Sequence, residues 1–193
     1  MTTQWLRTDE KEDLISSLKM IDVAVRSLPA DEQMWKWVVI STHAAVQGMF
    51  VVRLESGDSF EVSKPKGVEK WLAAHRGDRN YPELKMDYFT ELYGKVKSGK
   101  VQGFNFQPNS TRDENITRLN SLRNDFIHFM PKGWSIEIAL LCEVCLDCLN
   151  MVQSIGATLE TRWDNDEQAD RFERMCRNAI ANLAEEGRRH GVA

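Results

Sequence analysis

One short segment concentrates groups able to move protons and hold anions: Leu122-Arg123-Asn124-Asp125-Phe126-Ile127-His128-Phe129. Arg123 follows Leu119 by four residues and precedes Ile127 by four, which at helical spacing sets a cation on an apolar stripe. No carboxylate stands three or four residues away to pair with it along the same helix. A buried charge without a partner is costly, so Arg123 must either meet an acid from another helix or face a polar cavity. Asn120, Asn124 and His128 form a row beside it at steps of four. Pro131 disfavours helix at the residue before it, so His128 falls in the last turn. The carbonyl end of a helix favours a charged imidazole, a setting suited to general acid or base work. A purely structural account would pair Arg123 with a distant acid and have His128 cap a carbonyl.

Other groups fall outside this segment. His43 and Gln47 stand at i and i+4 on an apolar helix. They are expected either to line the same cleft as His128, adding a proton carrier or a base contact, or to form a hydrogen-bonded core pair. Lys132, just past His128, is placed to touch a phosphate. Lys64, Lys66, Lys70, Arg76 and Arg79, with Trp71 among them, read as a solvated surface or as a weak guiding path that works through charge and stacking. His75 and His190 sit in polar stretches and read as solvated. Cys142, Cys145 and Cys148 are spaced by three on a helix, so their thiols spread around it and do not converge on one ion; they read as small buried residues. No phosphate-cradling glycine loop, dinucleotide fingerprint or metalloprotease motif occurs, so no metal and no cofactor are expected.

The elements that must carry these groups read as helices. Asp9 with Glu12 resembles a capping box, and Leu14, Leu18, Ile21 and Val25 form a stripe that Pro29 ends. A second helix is expected over about 31–55, with small residues Ser41, Ala44, Ala45 and Gly48 at its middle allowing close approach of another backbone. Residues 56–110 read as an insert with helical pieces over 67–76 and 82–98, the latter from Leu84, Tyr88, Leu92 and Val96. Val51-Val52 with Phe60-Glu61-Val62 is a weak hairpin candidate. Thr111 with Glu114 is a second capping box, opening the helix whose apolar stripe is Ile116, Leu119, Phe126 and Met130. Ser135 is expected to cap a helix over 136–155, apolar nearly all round, that Gly156 closes; a last helix is expected over 164–186 with Glu167 as capping partner. The expected fold is all-α: an up-and-down bundle of four to five main helices, a single domain over 1–193, with a short helical insert at about 56–110.

Arg123-Asn124-x3-His128 resembles the Arg-x4–6-His motif of the HEPN (higher eukaryotes and prokaryotes nucleotide-binding) superfamily, which commonly has a polar residue directly after the arginine. Its members are bundles of four or five helices with the motif late in the bundle, before the final long helices, and the order read here agrees. The stretch from Arg123 through Pro131-Lys132-Gly133-Trp134-Ser135 to Glu137 is similar to an uncharacterised bacterial branch, although the insert is longer than a minimal bundle carries. The resemblance implies a metal-independent endoribonuclease, a toxin or defence effector. His128 would transfer protons, Arg123 would hold phosphate charge, and Asn124 would orient one of them or bind phosphate. Asn120, Lys132, His43 and Gln47 would contact substrate. It also implies a homodimer whose two motifs meet at the interface, RNA as partner, and a possible antitoxin protein. The alternative is a non-catalytic member that binds RNA, nucleotide or a protein.

Composition narrows the field. With 42% hydrophobic residues and a net charge of −4, the chain is too apolar to be disordered and too acidic to coat nucleic acid indiscriminately. The first residues lack a basic and apolar leader pattern, and no run of 18 apolar residues reads as a membrane span. The cysteine spacing is a poor disulfide framework and suits a reducing cytoplasm.

Overall fold

The computed structural model describes residues 3–55, 57–77, 81–98, 110–128, 131, 133–158 and 161–192. Among these the chain forms seven α-helices and no strand longer than a single bridge: α1 Glu10–Ser27, α2 Trp35–Leu54, α3 Pro65–Gly77, α4 Phe89–Lys97, α5 Ser110–Ile127, α6 Ile138–Gly156 and α7 Asp166–Arg189. The protein is an all-α helical bundle. Four helices form its centre, each touching the next in the closed order α1, α2, α6, α7 and back to α1. α5 lies across α2 and α6, and α4 fits between α2 and α5.

Burial follows the sequence stripes. Leu14, Leu18, Ile21 and Val25 of α1 are buried against α2 and α7, and α6 buries Leu141, Val144, Leu149, Val152 and Ile155 at the middle of the bundle. Each such side chain contributes about 1.5–3 kcal/mol when fully withdrawn from water. The small middle of α2 does what its composition suggests: a Cβ at Gly48 would stand 3.2 Å from Leu14 Cβ, so the two backbones run close there. Gly156 is tighter still, with Phe172 Cε1 2.1 Å from where a Cβ would lie. α2 with its preceding 3₁₀ turn and α6 are long and apolar enough to cross a membrane by length and composition, but 67% and 50% of their most apolar 18 residues are buried in the bundle.

Helix ends differ from the sequence reading in instructive ways. Asp9 does cap α1, accepting from the Lys11 and Glu12 backbone N–H groups, but Glu12 does not reach back. Its carboxylate receives Arg171 Nη1 and Nη2 at 3.0 and 2.8 Å and Gln168 Nε2 at 3.1 Å, tying α1 to α7, and these bonds hold its pKa low. α7 is capped by Asn165 bonded to the Gln168 N–H, not by Asp164 with Glu167. The 31–55 helix divides into a 3₁₀ turn, Glu32–Met34, and α2. Thr111 lies inside α5, and Glu114 pairs with Arg118 one turn on. α6 starts at Ile138 without a side-chain cap, because Ser135 lies too far before it.

The insert departs most. Helix over 82–98 is overturned for its first half: α4 begins only at Phe89, and the chain before it is extended. Ser63 and Met86 form an antiparallel bridge, with Lys64 N–H donating to Lys85 O and Asp87 N–H to Val62 O. The Val51–Val62 hairpin does not form, since Val51 and Val52 belong to α2. Nor is the insert wholly peripheral: Phe89, Leu92, Tyr93 and Val96 of α4 are buried in the core.

Candidate functional site: a cleft beside Arg123

α5 is clamped along its first half. Arg112 and Asn115 both bond Asp147 of α6, at 3.1 Å each, and Asp113 accepts from Tyr93 Oη at 2.6 Å and from Lys97 of α4. The Lys97 and Tyr93 bonds lower the Asp113 pKa, while burial first and the neighbouring carboxylate second drive the Tyr93 phenol far up. With its first half fixed from both sides, α5 brings Asn120, Arg123 and Asn124 toward α2 and the stretch from Met86 into the first turn of α4.

There an open cleft of about 490 Å³ gathers five of the seven residues singled out in the sequence: His43 and Gln47 from α2, and Asn120, Arg123 and Asn124 from α5. Its far wall is Met86 to Thr90. His43 is 5% exposed and stacks on Phe89 with ring centroids 4.0 Å apart. Its Nε2 lies 3.2 Å from Asn120 Oδ1, as a donor to the amide oxygen. Burial above all pushes the ring's pKa down to about 4; the Asn120 bond opposes that shift and the Arg123 charge adds to it. His43 is thus a neutral imidazole at ordinary pH, a fixed donor and not a second proton carrier poised near neutrality.

Arg123 donates from Nη1 to Asn124 Oδ1 at 3.0 Å. No carboxylate lies within ion-pair distance of it among the described residues, so the distant acid of the structural account is not found there. The one carboxylate of the cleft wall among the described residues, Asp87, is engaged through Oδ2 by Lys95 at 2.9 Å and through Oδ1 by the Tyr88 N–H at 3.0 Å. Gln47 Nε2 reaches only the Met86 sulfur, 3.9 Å away.

His128 stands apart. α5 ends at Ile127, and the His128 backbone N–H closes the last turn on Asn124 O at 2.8 Å. The ring is exposed, has no hydrogen-bond partner among the described residues, and does not line the cleft with His43 and Gln47. Ile127 beside it is 42% exposed, so it ends the apolar stripe on the outside of the fold. Phe126 turns inward instead, edge-on to Trp134 at 5.0 Å, which anchors the chain after the motif. Lys132, Arg79 and Met130 lie outside the described residues.

Sequence reasoning missed the wall from Met86 to Thr90. Leu84, Met86 and Tyr88 alternate, a spacing of two that fits an extended chain, and the helical reading took Leu84 and Tyr88 as one turn. The basic stretch is partly occupied: Trp71 packs on His75, Phe60 and Tyr81, and Lys64 Nζ lies 3.8 Å from the Tyr88 ring centroid. His190 is paired with Glu186 at 3.1 Å. The cysteines are free and buried; loss of hydration raises Cys142 to about 11 and Cys145 and Cys176 to about 12. Among the described residues no three His, Cys, Asp or Glu side chains are grouped to hold a metal ion. Comparison with protein-family models, with curated proteins and with solved structures gives no match to this chain.

Proposed function

We propose that the chain is a HEPN-type endoribonuclease, acting without metal where the Arg123, Asn124 and His128 sets of two copies meet. The observation that carries this reading is the state of Arg123: it lines an open cleft, bonded to Asn124 and to no carboxylate among the described residues. A guanidinium in that state retains its charge and most of its N–H donors for an anion. The exposed His128 ring, five residues on and just past the end of α5, is available to a substrate or to a second copy.

The reaction follows from these groups. The ribose 2′-oxygen attacks the adjacent phosphorus while its proton passes to one imidazole. The bond to the 5′-oxygen breaks, and that oxygen takes a proton from a second, protonated imidazole. The products are a 2′,3′-cyclic phosphate and a 5′-hydroxyl. One chain contributes one His128, so a two-fold pair supplies both rings, with two Arg123 side chains to offset the charge on the five-coordinate phosphorus. A reducing cytoplasm, and an antitoxin that masks the site, belong to the same proposal.

The test is incubation of the protein with a mixed RNA pool, with and without EDTA, beside Arg123→Ala and His128→Ala, with the oligomeric mass of each. Cleavage in EDTA by a wild-type dimer, lost in both folded variants, is the expected result. Cleavage that survives in both would overturn it. A second reading, a module that binds RNA or nucleotide without cutting, is favoured by one observation: His128 is not a wall of the Arg123 cleft. That reading expects RNA binding weakened by Arg123→Ala and no products.

A further inference from the structure

The chain ahead of α1, from Thr3 to Asp9, forms an arm that is neither helix nor turn and is exposed throughout. It carries Trp5 at 83% and Leu6 at 92% exposure, the two most exposed large apolar side chains among the described residues. A tryptophan alone can withdraw about 150–250 Å² from water, so this arm has much to gain from an apolar seat. A groove of matching character lies beside the start of α2. Trp35 and Leu141 form its buried floor, and Phe126, Trp134, Ile136 and Ile138 its half-buried walls. It holds about 320 Å³ and shares Phe126 and Trp134 with an adjoining hollow of about 470 Å³. Glu32 is the one carboxylate of the groove among the described residues. Neither Glu32 nor Arg7 of the arm has an ion partner among them.

The arm cannot fill the groove of its own chain. Leu14, early in α1, lies against Gly48, late in α2, so the two helices run antiparallel and the groove stands at the far end of α1. The 18 residues of α1 span about 27 Å. From Glu10 back to Trp5 the chain reaches at most about 18 Å. A second copy is within reach. Two bundles side by side and head to tail put each arm beside the other's groove, and that exchange closes on a two-fold axis.

We infer that two copies of this chain exchange the arms ahead of α1: Trp5 and Leu6 of one enter the groove along Phe126 and Trp134 of the other, and Arg7 pairs with Glu32 across the contact. A second copy is the occupant because the arm matches the groove in both polarity and charge and its own bundle is out of range. The contact is separate from the Arg123 cleft and stands without any cleavage. Phe126 lies two residues before His128, so the exchanged arm braces the end of α5 from the partner's side.

The experiment is sedimentation of the full chain over a range of concentrations, joined to disulfide trapping. Trp5 is exposed in the single chain, so Trp5→Ala leaves the fold intact; it should raise the dissociation constant of the pair at least about thirtyfold. Arg7→Glu and Glu32→Lys should each weaken pairing, and the chain carrying both should recover much of the loss. The native cysteines are free and buried, which leaves an introduced thiol to report alone. Under mild oxidation Leu6→Cys mixed with Gln33→Cys should give a covalent pair in clear excess over Leu6→Cys mixed with Lys66→Cys, whose new thiol is on α3. No excess overturns the exchange. So does an internal disulfide in the monomeric double variant, which would seat the arm on its own bundle. A wild type that stays monomeric, or that dissociates like Trp5→Ala, also overturns it and leaves the groove to a different protein. Arg123→Ala and His128→Ala should keep the arm disulfide. A chain that cuts RNA without trapping the arm refutes the exchange alone, and one that traps the arm without cutting refutes the ribonuclease reading alone.

Discussion

Asn124 holds Arg123 from the very next position, Oδ1 accepting from Nη1 at 3.0 Å. Neighbours on a helix diverge by about 100°, so this bond folds the guanidinium back along the surface of α5 instead of letting it extend. It orients the cation without neutralising it. Replacing Asn124 by Asp preserves shape and acceptor but adds a counter-charge. If the ribonuclease proposal holds, RNA cleavage by Asn124→Asp should fall by about a hundredfold or more, while stability stays within about 0.5 kcal/mol of wild type. Steady-state cleavage and urea unfolding on the same samples check both, and unchanged cleavage would remove Asn124 from the site.

His43 links the site to the acid stability of the fold. Its pKa lies near 4 in the folded chain against the usual 6.5. Between those values the unfolded chain binds a proton at this ring that the folded chain does not. Stability therefore falls as pH drops from 6.5 toward 4, by about 3 kcal/mol in all from this ring. Above pH 6.5 the ring is neutral in both states and contributes no slope. His43→Gln should flatten the fall in urea midpoint between pH 7 and 5; parallel curves for the two proteins would mean that the ring is not buried in its neutral form.

Gly156 ends α6 against the Phe172 ring of α7. A methyl group there would need the ring to leave a fully buried position. Gly156→Ala should destabilise the protein by about 2 kcal/mol or more, despite the better helix propensity of alanine. The double change Gly156→Ala with Phe172→Leu should cost less than the sum of its parts, and a double-mutant cycle by thermal unfolding measures the difference.

The four cysteines should be silent in the native protein. All are buried with thiols shifted upward by loss of hydration, and the thiolate is the reactive form. A thiol reagent such as DTNB at pH 8 should titrate none of them before unfolding and four in denaturant. Rapid native reaction of even one would contradict the packing of α6.

Much of the bundle was legible because helical periodicity and terminators are local signals. The stripe of α1, the stop at Pro29, the apolar α6 and the close approach at Gly48 all follow from spacing and side-chain size. Capping partners were less legible, because Glu12 and Glu114 had competitors: Arg171 from a distant helix and Arg118 one turn on. In the site, Arg123 was conspicuous as a charge on an apolar stripe, and His43 with Gln47 as polar groups on an apolar helix. The separation of His128 from them was not legible, since it depends on how far α5 extends past its contact with α2. Tyr88 was hidden by an ambiguity of period: residues spaced by four satisfy a helix turn and two steps of an extended chain alike.

The tie of Glu12 to Arg171 joins residues 159 positions apart. α1 therefore borders both the helix that follows it directly and α7, made more than a hundred residues later. During synthesis α1 and α2 can pair as soon as they leave the ribosome, yet the faces reserved for α6 and α7 remain bare until most of the chain has been translated. For an all-helical protein this is a topology of distant contacts, and it sets the order of assembly: an early hairpin, then a wait, then closure. In that interval the stretches most at risk of wrong association are the oily sides of the first two helices.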